Sequence, residues 1–351
     1  MIPTGILLMK DLRLVPPAIK RNKATIGDIA GRLGISSTTV SFVLNGRDFG
    51  ISEITRKKVT ELAVKLGYRT MASVRKNDWI KAVYLAENIA WFNFRTSFYA
   101  HVYSYLHRYT DKRKISLSLM EFPLNENQPG VLAAENNLKI ADADIILTNS
   151  RAIAAVINTM GVKCILVQAG VLTGIMCVSC DDESAGKLSA EYAVKMGYQQ
   201  AGMIFPEKAM SSPRFRGFYQ TFTGLGGKIS KHHIWQVSWE HAEMESSLEK
   251  LSGKKNLPAL FYCFADNLLF PAIRAFHKNN LQVPKDISLI GTDDLYWGRF
   301  ACPAFTTVNL QEELFAERLV ETIVHIAGGG SPYHLTVPCK FVERESVRRN
   351  S

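Results

Sequence analysis

Residues 33–45 read Leu33-Gly34-Ile35-Ser36-Ser37-Thr38-Thr39-Val40-Ser41-Phe42-Val43-Leu44-Asn45. Gly34 suits the left-handed geometry that ends a helix, and Ser36 suits the start of the next. Val40, Val43 and Leu44 fall at helical spacing and give that second helix an inward face. Upstream, Thr25 caps a first helix with Asp28 three residues on, and Ile26, Ile29, Ala30 and Leu33 form its apolar side. Downstream, Ser52 opens a third helix that buries Val59, Leu62, Ala63 and Leu66 and stops at Gly67. Two short helices joined by a turn of about four residues containing Gly match a helix-turn-helix.

The outward side of the second helix points to nucleic acid. Ser37, Thr38, Thr39, Ser41 and Asn45 are short hydrogen-bonding side chains near its N-terminus or along one side. Such groups suit phosphate oxygens and base edges, and the helix N-terminus favours phosphate. Arg56, Lys57 and Lys58 stand where the third helix can meet a backbone. Charge agrees: residues 1–80 hold 14 Lys/Arg against 6 Asp/Glu, so the head carries +8 of the chain's net +10. A basic head on a nearly neutral body predicts a polyanionic partner.

With 47% apolar and 21% charged residues over 351 positions, the chain is globular and long enough for more than one domain. No run approaches the roughly 18–20 apolar residues that span a bilayer, and Met1–Met9 makes a poor signal peptide, so a cytoplasmic protein without a membrane partner is expected. The six cysteines sit mostly in apolar runs, which reads as reduced, buried usage. Cys177-Val178-Ser179-Cys180 lacks a second pair of metal ligands and reads as a strand. His232-His233 reads as a polar connection. No metal and no cofactor is expected.

Beyond residue 80, apolar runs of strand length alternate with helical stretches: 81–86, 115–120, 143–147, 164–167, 201–205, 259–263 and 287–291, with a helix over 98–110. Such runs imply parallel sheets covered on both faces, whose ligands sit beyond the carboxyl ends of the strands. Glu87, Asn88, Asn149, Ser150, Asp266, Asp293 and Asp294 follow strand ends, and Arg214 and Arg216 open a helix after Ser212-Pro213. Arg with carboxylates suits a hydroxylated, sugar-like ligand. Trp91, Phe92 and Trp239 are candidate flat walls, core packing being the competing reading; for Asp294 a turn or cap is favoured. No G-x-S-x-G, phosphate-binding loop or G-x-G-x-x-G stands in the right context, so an enzyme is not expected.

The head resembles the LacI family. Ala24-Thr25-Ile26-Gly27-Asp28-Ile29-Ala30, residues 33–41, Val43-Leu44-Asn45, residues 51–59 and Leu66-Gly67-Tyr68 carry the likeness. It implies that Ser37, Thr38 and Phe42 face bases while Thr25, Ser36, Thr39, Ser41, Asn45 and Thr55 hold phosphates. Phe42 stands where the family usually has Arg, so a thymine methyl replaces guanine as the available partner. The loop from Gly46 to Ile51 is about one residue longer than usual. Residues 70–78 have no Leu, leaving Met71 or Val74 as the available minor-groove wedge. The likeness continues through Val178–Gly186, Met196-Gly197-Tyr198, Arg214-Phe215-Arg216-Gly217-Phe218, Asp286–Asp294 and Pro303–Val308, with Ala265 for Asn and Pro271 for Gly as departures.

The resemblance implies an all-α helix-turn-helix head and an α/β body of two Rossmann-like lobes, like a periplasmic binding protein. The division expected is an N-terminal extension over 1–22, the head over 23–69, a linker over 70–80 and the body over 81–347. One lobe takes about 81–178 and 306–328, the other about 179–305 and 329–347. Expected partners are a pseudo-palindromic double-stranded operator, a carbohydrate-like effector held by Arg214, Asp266, Asp293, Trp239, Glu87 and Asn149, and a second copy of the chain. A sugar-binding protein of periplasmic type would share the body, but the basic head argues against it.

Overall fold

The computed structural model describes residues 25–44, 51–65, 79–86, 98–121 and 143–350. In chain order the elements are α1 (Ile26–Leu33), α2 (Ser37–Leu44), α3 (Glu53–Lys65), β1 (Ile80–Ala86), α4 (Phe98–Thr110), β2 (Ile115–Glu121), β3 (Ile145–Thr148), α5 (Arg151–Thr159) and β4 (Cys164–Val167). There follow β5 (Met176–Cys180), α6 (Asp182–Lys195), β6 (Gly202–Pro206), α7 (Pro213–Gly224), β7 (Ile234–Val237), α8 (His241–Ser252), β8 (Leu260–Cys263) and α9 (Leu269–Lys278). The last are β9 (Ser288–Ile290), β10 (Thr307–Asn309), α10 (Glu312–Ala327), β11 (His334–Val337) and β12 (Lys340–Val342). Two compact units are formed. One takes the described residues up to 87, of 110–165 and of 323–331; the other takes those of 88–109, 166–322 and 332–351.

In the first unit the described residues of the head form the three helices that its sequence predicts. Thr25 and Asp28 form a reciprocal capping box, with Asp28 N–H on Thr25 Oγ1 at 3.1 Å and Thr25 N–H on Asp28 Oδ2. Gly34 ends α1 with φ 64°, a backbone value that glycine tolerates freely. Ile29, Ala30, Val40 and Val59 are buried together, with Ile26, Leu33, Ile35, Val43 and Leu62 packed around them. The three helices thus share one small apolar core. In the same unit β1 lies between parallel partners, Ile80 opposite Ile115 of β2 and Ala82 opposite Ile145 of β3.

In the second unit β7, β6, β8 and β9 form a four-stranded parallel sheet in that order. Side chains alternate across it, as a strand period of two requires. Ile204, Phe261, Cys263 and Leu289 face one core with Met244 and Leu248 of α8 and Leu269, Ala272 and Phe276 of α9. Met203, Phe205, Leu260, Tyr262 and Ile290 face the other, with Ala190 and Ala193 of α6 and Phe218 and Phe222 of α7. Both faces are covered, which is why these strands are apolar throughout. β5 pairs in parallel with β11, and β10 pairs antiparallel with β12. These last three pairing partners, β10, β11 and β12, are short segments without a long apolar run to mark them.

Cys177 and Cys180 stand on β5 as expected, and their thiols meet different acceptors, the Ile175 and Leu310 carbonyls. All six cysteines are free, and Cys164, Cys177, Cys180 and Cys263 are buried. Among the described residues, no group of three His, Cys, Asp or Glu side chains is arranged to hold a metal ion, and no helix is long and apolar enough to cross a membrane.

Candidate effector site and nucleic-acid interface

The polar centre of the second unit forms where β8, β9 and the starts of α6 and α7 meet. Ser212 caps α7 through the Phe215 N–H, which sets Arg214 in the first turn facing inward. Arg214 is buried. Its Nε and Nη2 donate to Asp182 Oδ1 at 3.1 and 2.7 Å, and its Nη1 donates to the Phe264 carbonyl. The guanidinium carbon lies 4.5 Å from the Phe264 ring centroid, a cation–π distance. Asp293 Oδ1 stands 3.5 Å from Nη1. Burial opposes the Arg214 charge, but Asp182 and Asp293 together outweigh it and hold the guanidinium protonated.

Asp182 is the residue that sequence reading missed. It follows β5 directly, in the Asp181-Asp182 pair that opens α6, where Asp181 caps the helix through Ser184 N–H at 3.0 Å. That left Asp182 free to point at α7; a second acid after a strand end was the available signal. Gln168 Nε2 takes its other oxygen at 3.1 Å.

Asp293 is buried at φ 115°, a left-handed value that non-glycine residues avoid and that recurs at functional sites. Burial pushes its carboxyl well above the usual carboxylate range, with Arg214 opposing. Asp294, next along at φ 57°, is held by Arg344 Nη2 at 2.5 Å, Arg299 Nη2 at 3.1 Å and Asn309 Nδ2 at 2.7 Å. That is a turn residue locked into structure, as its sequence position indicated. Asp266 has no exposed surface, and both its oxygens are engaged: Oδ1 by Thr307 Oγ1 at 2.7 Å and Oδ2 by the Leu295 N–H at 2.9 Å. It therefore positions the 291–295 loop from beneath and does not present an open oxygen to a ligand. Burial raises its carboxyl to about 7.

Trp239 is half exposed and meets the Phe264 ring edge-on, 6.3 Å between centroids. Trp239, Phe264, Arg214, Asp182 and Asp293 are thus linked in one group. Asn149 belongs to the other unit, at the end of β3, and its Oδ1 is buried without a hydrogen-bond partner among the described residues. Ser150 beside it caps α5 through the Ile153 N–H at 3.3 Å. Glu87, Asn88, Trp91 and Phe92 lie outside the described residues, as do Asn45, Gly67, Tyr68 and the 70–78 stretch with Met71 and Val74.

On the head, Ser36 Oγ accepts from the Thr39 N–H at 3.0 Å and meets Thr39 Oγ1 at 2.8 Å. Thr55 is tied to Ser52 in the same way, Oγ1 to Oγ at 2.8 Å. Ser37 and Thr38, in the first turn of α2, are exposed, whereas Ser41 and Phe42 are half-buried.

Residues 25–70 match the family profile of bacterial regulatory proteins of the lacI family, and residues 190–347 match that of the periplasmic binding protein-like domain. This chain is a LacI-type regulator. Among its relatives, the HTH-type transcriptional repressor PurR of Actinobacillus pleuropneumoniae serotype 3 (strain JL03) is 24% identical over 306 residues, covering 82% of this chain and 86% of the relative. Two solved structures share the fold of this LacI-type chain at 19% identity each, covering 92% of it and 99% of each neighbour. They are a CelR–cellobiose complex at TM-score 0.67 and a lac repressor dimer bound to operator and the anti-inducer ONPF at TM-score 0.65.

Proposed function

We propose that this LacI-type regulator represses transcription as a homodimer on a pseudo-palindromic operator, under control of a small sugar-like effector. The observation that carries the DNA half is the open first turn of α2. There Ser37 and Thr38 stand exposed at a helix N-terminus, on a compact three-helix core. The lac repressor neighbour, described as a dimer on operator, supports the same use of this head.

For the effector, Arg214, Asp293 and Trp239 are the direct partners within the second unit. Asp266 and Asp182 act by holding the loop and the guanidinium in place. A fork of donors, a carboxylate and an aromatic wall suit neighbouring hydroxyls on a flat-faced ring. The cellobiose-bound neighbour supports that ligand class. The division into a 23–69 head, a 70–80 linker and an 81–347 body of two lobes goes with this reading, as does a cytoplasmic setting where the DNA is. Effector binding shifts the balance between two states of different operator affinity.

A face for the second copy is offered by Tyr296, Trp297 and Phe300, all more than half exposed. Their rings touch, with centroids 5.3 Å apart for Tyr296–Trp297 and 5.1 Å for Tyr296–Phe300. Contiguous exposed aromatics of this kind mark interaction surfaces.

Selection of bound sequences from a random duplex pool tests the proposal. A two-fold symmetric, salt-sensitive consensus is expected. Enrichment of no sequence would leave only a ligand-binding protein.

A further inference from the structure

We infer that Glu312 is a further effector-binding residue, its free carboxylate oxygen accepting a hydrogen bond from a donor group on the ligand. This rests on the effector site proposed above. Glu312 opens α10, and its Oε2 pairs with His101 Nδ1 on α4 at 3.0 Å. Its Oε1 is buried and has no hydrogen-bond partner among the described residues. Buried acceptors are nearly always satisfied, and one that is not invites an explanation in function.

An acid in the first turn of a helix has an ordinary explanation in the helix dipole. Glu313, the next residue, fits it: exposed, and paired at the surface with Arg108 at 3.3 Å and Tyr109 at 3.0 Å. Glu312 is turned inward instead, with only 13% of its side chain exposed. Its backbone neighbours reach the effector group. Asp293 N–H donates to the Val308 carbonyl at 2.9 Å, Asp293 bridges Asn309, and Cys180, two residues before Asp182, donates to the Leu310 carbonyl. The charge on Glu312 is felt by Asp293 and by Cys180, which places it within electrostatic reach of the Arg214 cluster.

The site so extended offers the Arg214 fork and two acceptors, Asp293 and Glu312 Oε1. Among the described residues, the Asp293 carboxylate makes no ion pair closer than its 3.5 Å approach to Arg214. A ligand that fills it donates to Glu312 from a hydroxyl or from an ammonium nitrogen. His101 steers the carboxylate from the far side, so the free oxygen is held in one direction rather than swinging.

The test uses the full-length chain and its Glu312→Gln variant, melted with glucose, glucosamine, ribose or cellobiose added singly. Glutamine keeps an oxygen for His101 and puts an N–H₂ where Oε1 was, so a ligand donor meets a donor. At least one probe is expected to raise the wild-type midpoint, and E312Q is expected to bind that probe at least tenfold more weakly. The ligand-free E312Q midpoint is expected to match that of His101→Gln, which loses the same ion pair. A steeper loss for glucosamine than for glucose identifies the ammonium donor, and an equal loss the hydroxyl. A probe that R214K loses and E312Q keeps overturns the role of Glu312 and leaves the effector site standing. A ligand-free E312Q midpoint well below that of H101Q also overturns it, because Oε1 would then serve the fold. If no probe shifts wild type, the effector site itself falls, and this role with it.

Discussion

Both Nε and Nη2 of Arg214 converge on a single oxygen of Asp182, at 3.1 and 2.7 Å, across the start of two neighbouring helices. The second carboxylate of the group, Asp293, is left at 3.5 Å. Arg214 is thereby fixed by one acid and merely faced by the other. Such an arrangement holds a guanidinium ready while keeping one carboxylate available for a ligand.

Replacing Arg214 separates these roles. In Arg214→Met, Asp182 and Asp293 lose their buried partner, and urea unfolding should show a loss of about 3 kcal/mol, the low end of the usual range because Asp182 is partly exposed. Arg214→Lys keeps the charge but cannot fork onto Asp182 and reach the Phe264 carbonyl together. It should fold and show no ligand-induced rise in melting midpoint. A wild-type response to ligand in R214K would remove Arg214 from the pocket.

Asp266 predicts a pH dependence. Its carboxyl stands at about 7 in the folded chain against an ordinary 3.8, raised by burial. Between those values the folded chain keeps a proton that the unfolded chain has released. The stability this group contributes is therefore complete below about pH 4 and declines as pH rises to 7, with a slope of about 1.4 kcal/mol per unit. Asp266→Asn should flatten that slope in urea melts taken from pH 4 to 8. Below pH 7 it should cost little, because the amide matches the protonated acid: its oxygen takes the Leu295 N–H and its N–H₂ turns to the Thr307 hydroxyl. An unchanged slope would mean that Asp266 is ionised in the fold.

The helices that carry Asp182 and Arg214 touch through backbone. A Cβ on Gly186 of α6 would collide with the Arg214 carbonyl and the Phe218 N–H, and one on Gly217 of α7 would collide with the Glu183 carbonyl. Gly186→Ala should force α6 and α7 apart. A destabilisation of about 1–3 kcal/mol is expected, and, because Arg214 is displaced from Asp182, weaker ligand binding should accompany it. Calorimetric titration of a variant that still folds checks the second effect.

The aromatic face predicts assembly. Phe300 is 67% exposed beside Tyr296 and Trp297. In the proposed homodimer, Phe300→Glu brings a charge into the paired face, and the chain should sediment as a monomer at micromolar concentration. Operator affinity should fall as the two heads lose their fixed spacing. A variant that sediments like wild type moves the dimer face elsewhere.

Local signals carried most of the architecture. Thr25, Ser36 and Ser52 announce the three helices through their own side-chain hydrogen bonds, and the apolar runs at 201–205 and 259–263 announce strands buried on both sides. Arg214 and Asp293 were legible as residues just inside a helix start or just past a strand end. What the sequence could not show was direction. Asp266 follows a strand as Asp293 does, yet turns under the loop because Thr307, 41 positions away, supplies its donor. The pairing of His101 with Glu312 spans 211 positions and leaves no local pattern.

The head separates side chains that build a helix from those open to a duplex. Thr25 and Ser36 spend their hydroxyls on the Asp28 and Thr39 N–H groups. Changing either to Ala should cost about 1 kcal/mol of head stability and weaken all duplexes alike, since these positions are assigned to phosphate and a frayed helix start loses its dipole contact. Ser37 and Thr38 are exposed in the first turn of α2. Their alanine variants should melt like wild type and lose about 1–3 kcal/mol of discrimination between the selected sequence and its single-base variants. Phe42, half-buried on the same helix, should on truncation to Ala relax preference at one base pair, that of a thymine methyl. Competition binding across a set of single-base variants, repeated at two salt concentrations, distinguishes the classes. Should Ser37→Ala and Thr25→Ala give the same preference profile, α2 would grip the backbone without reading the bases.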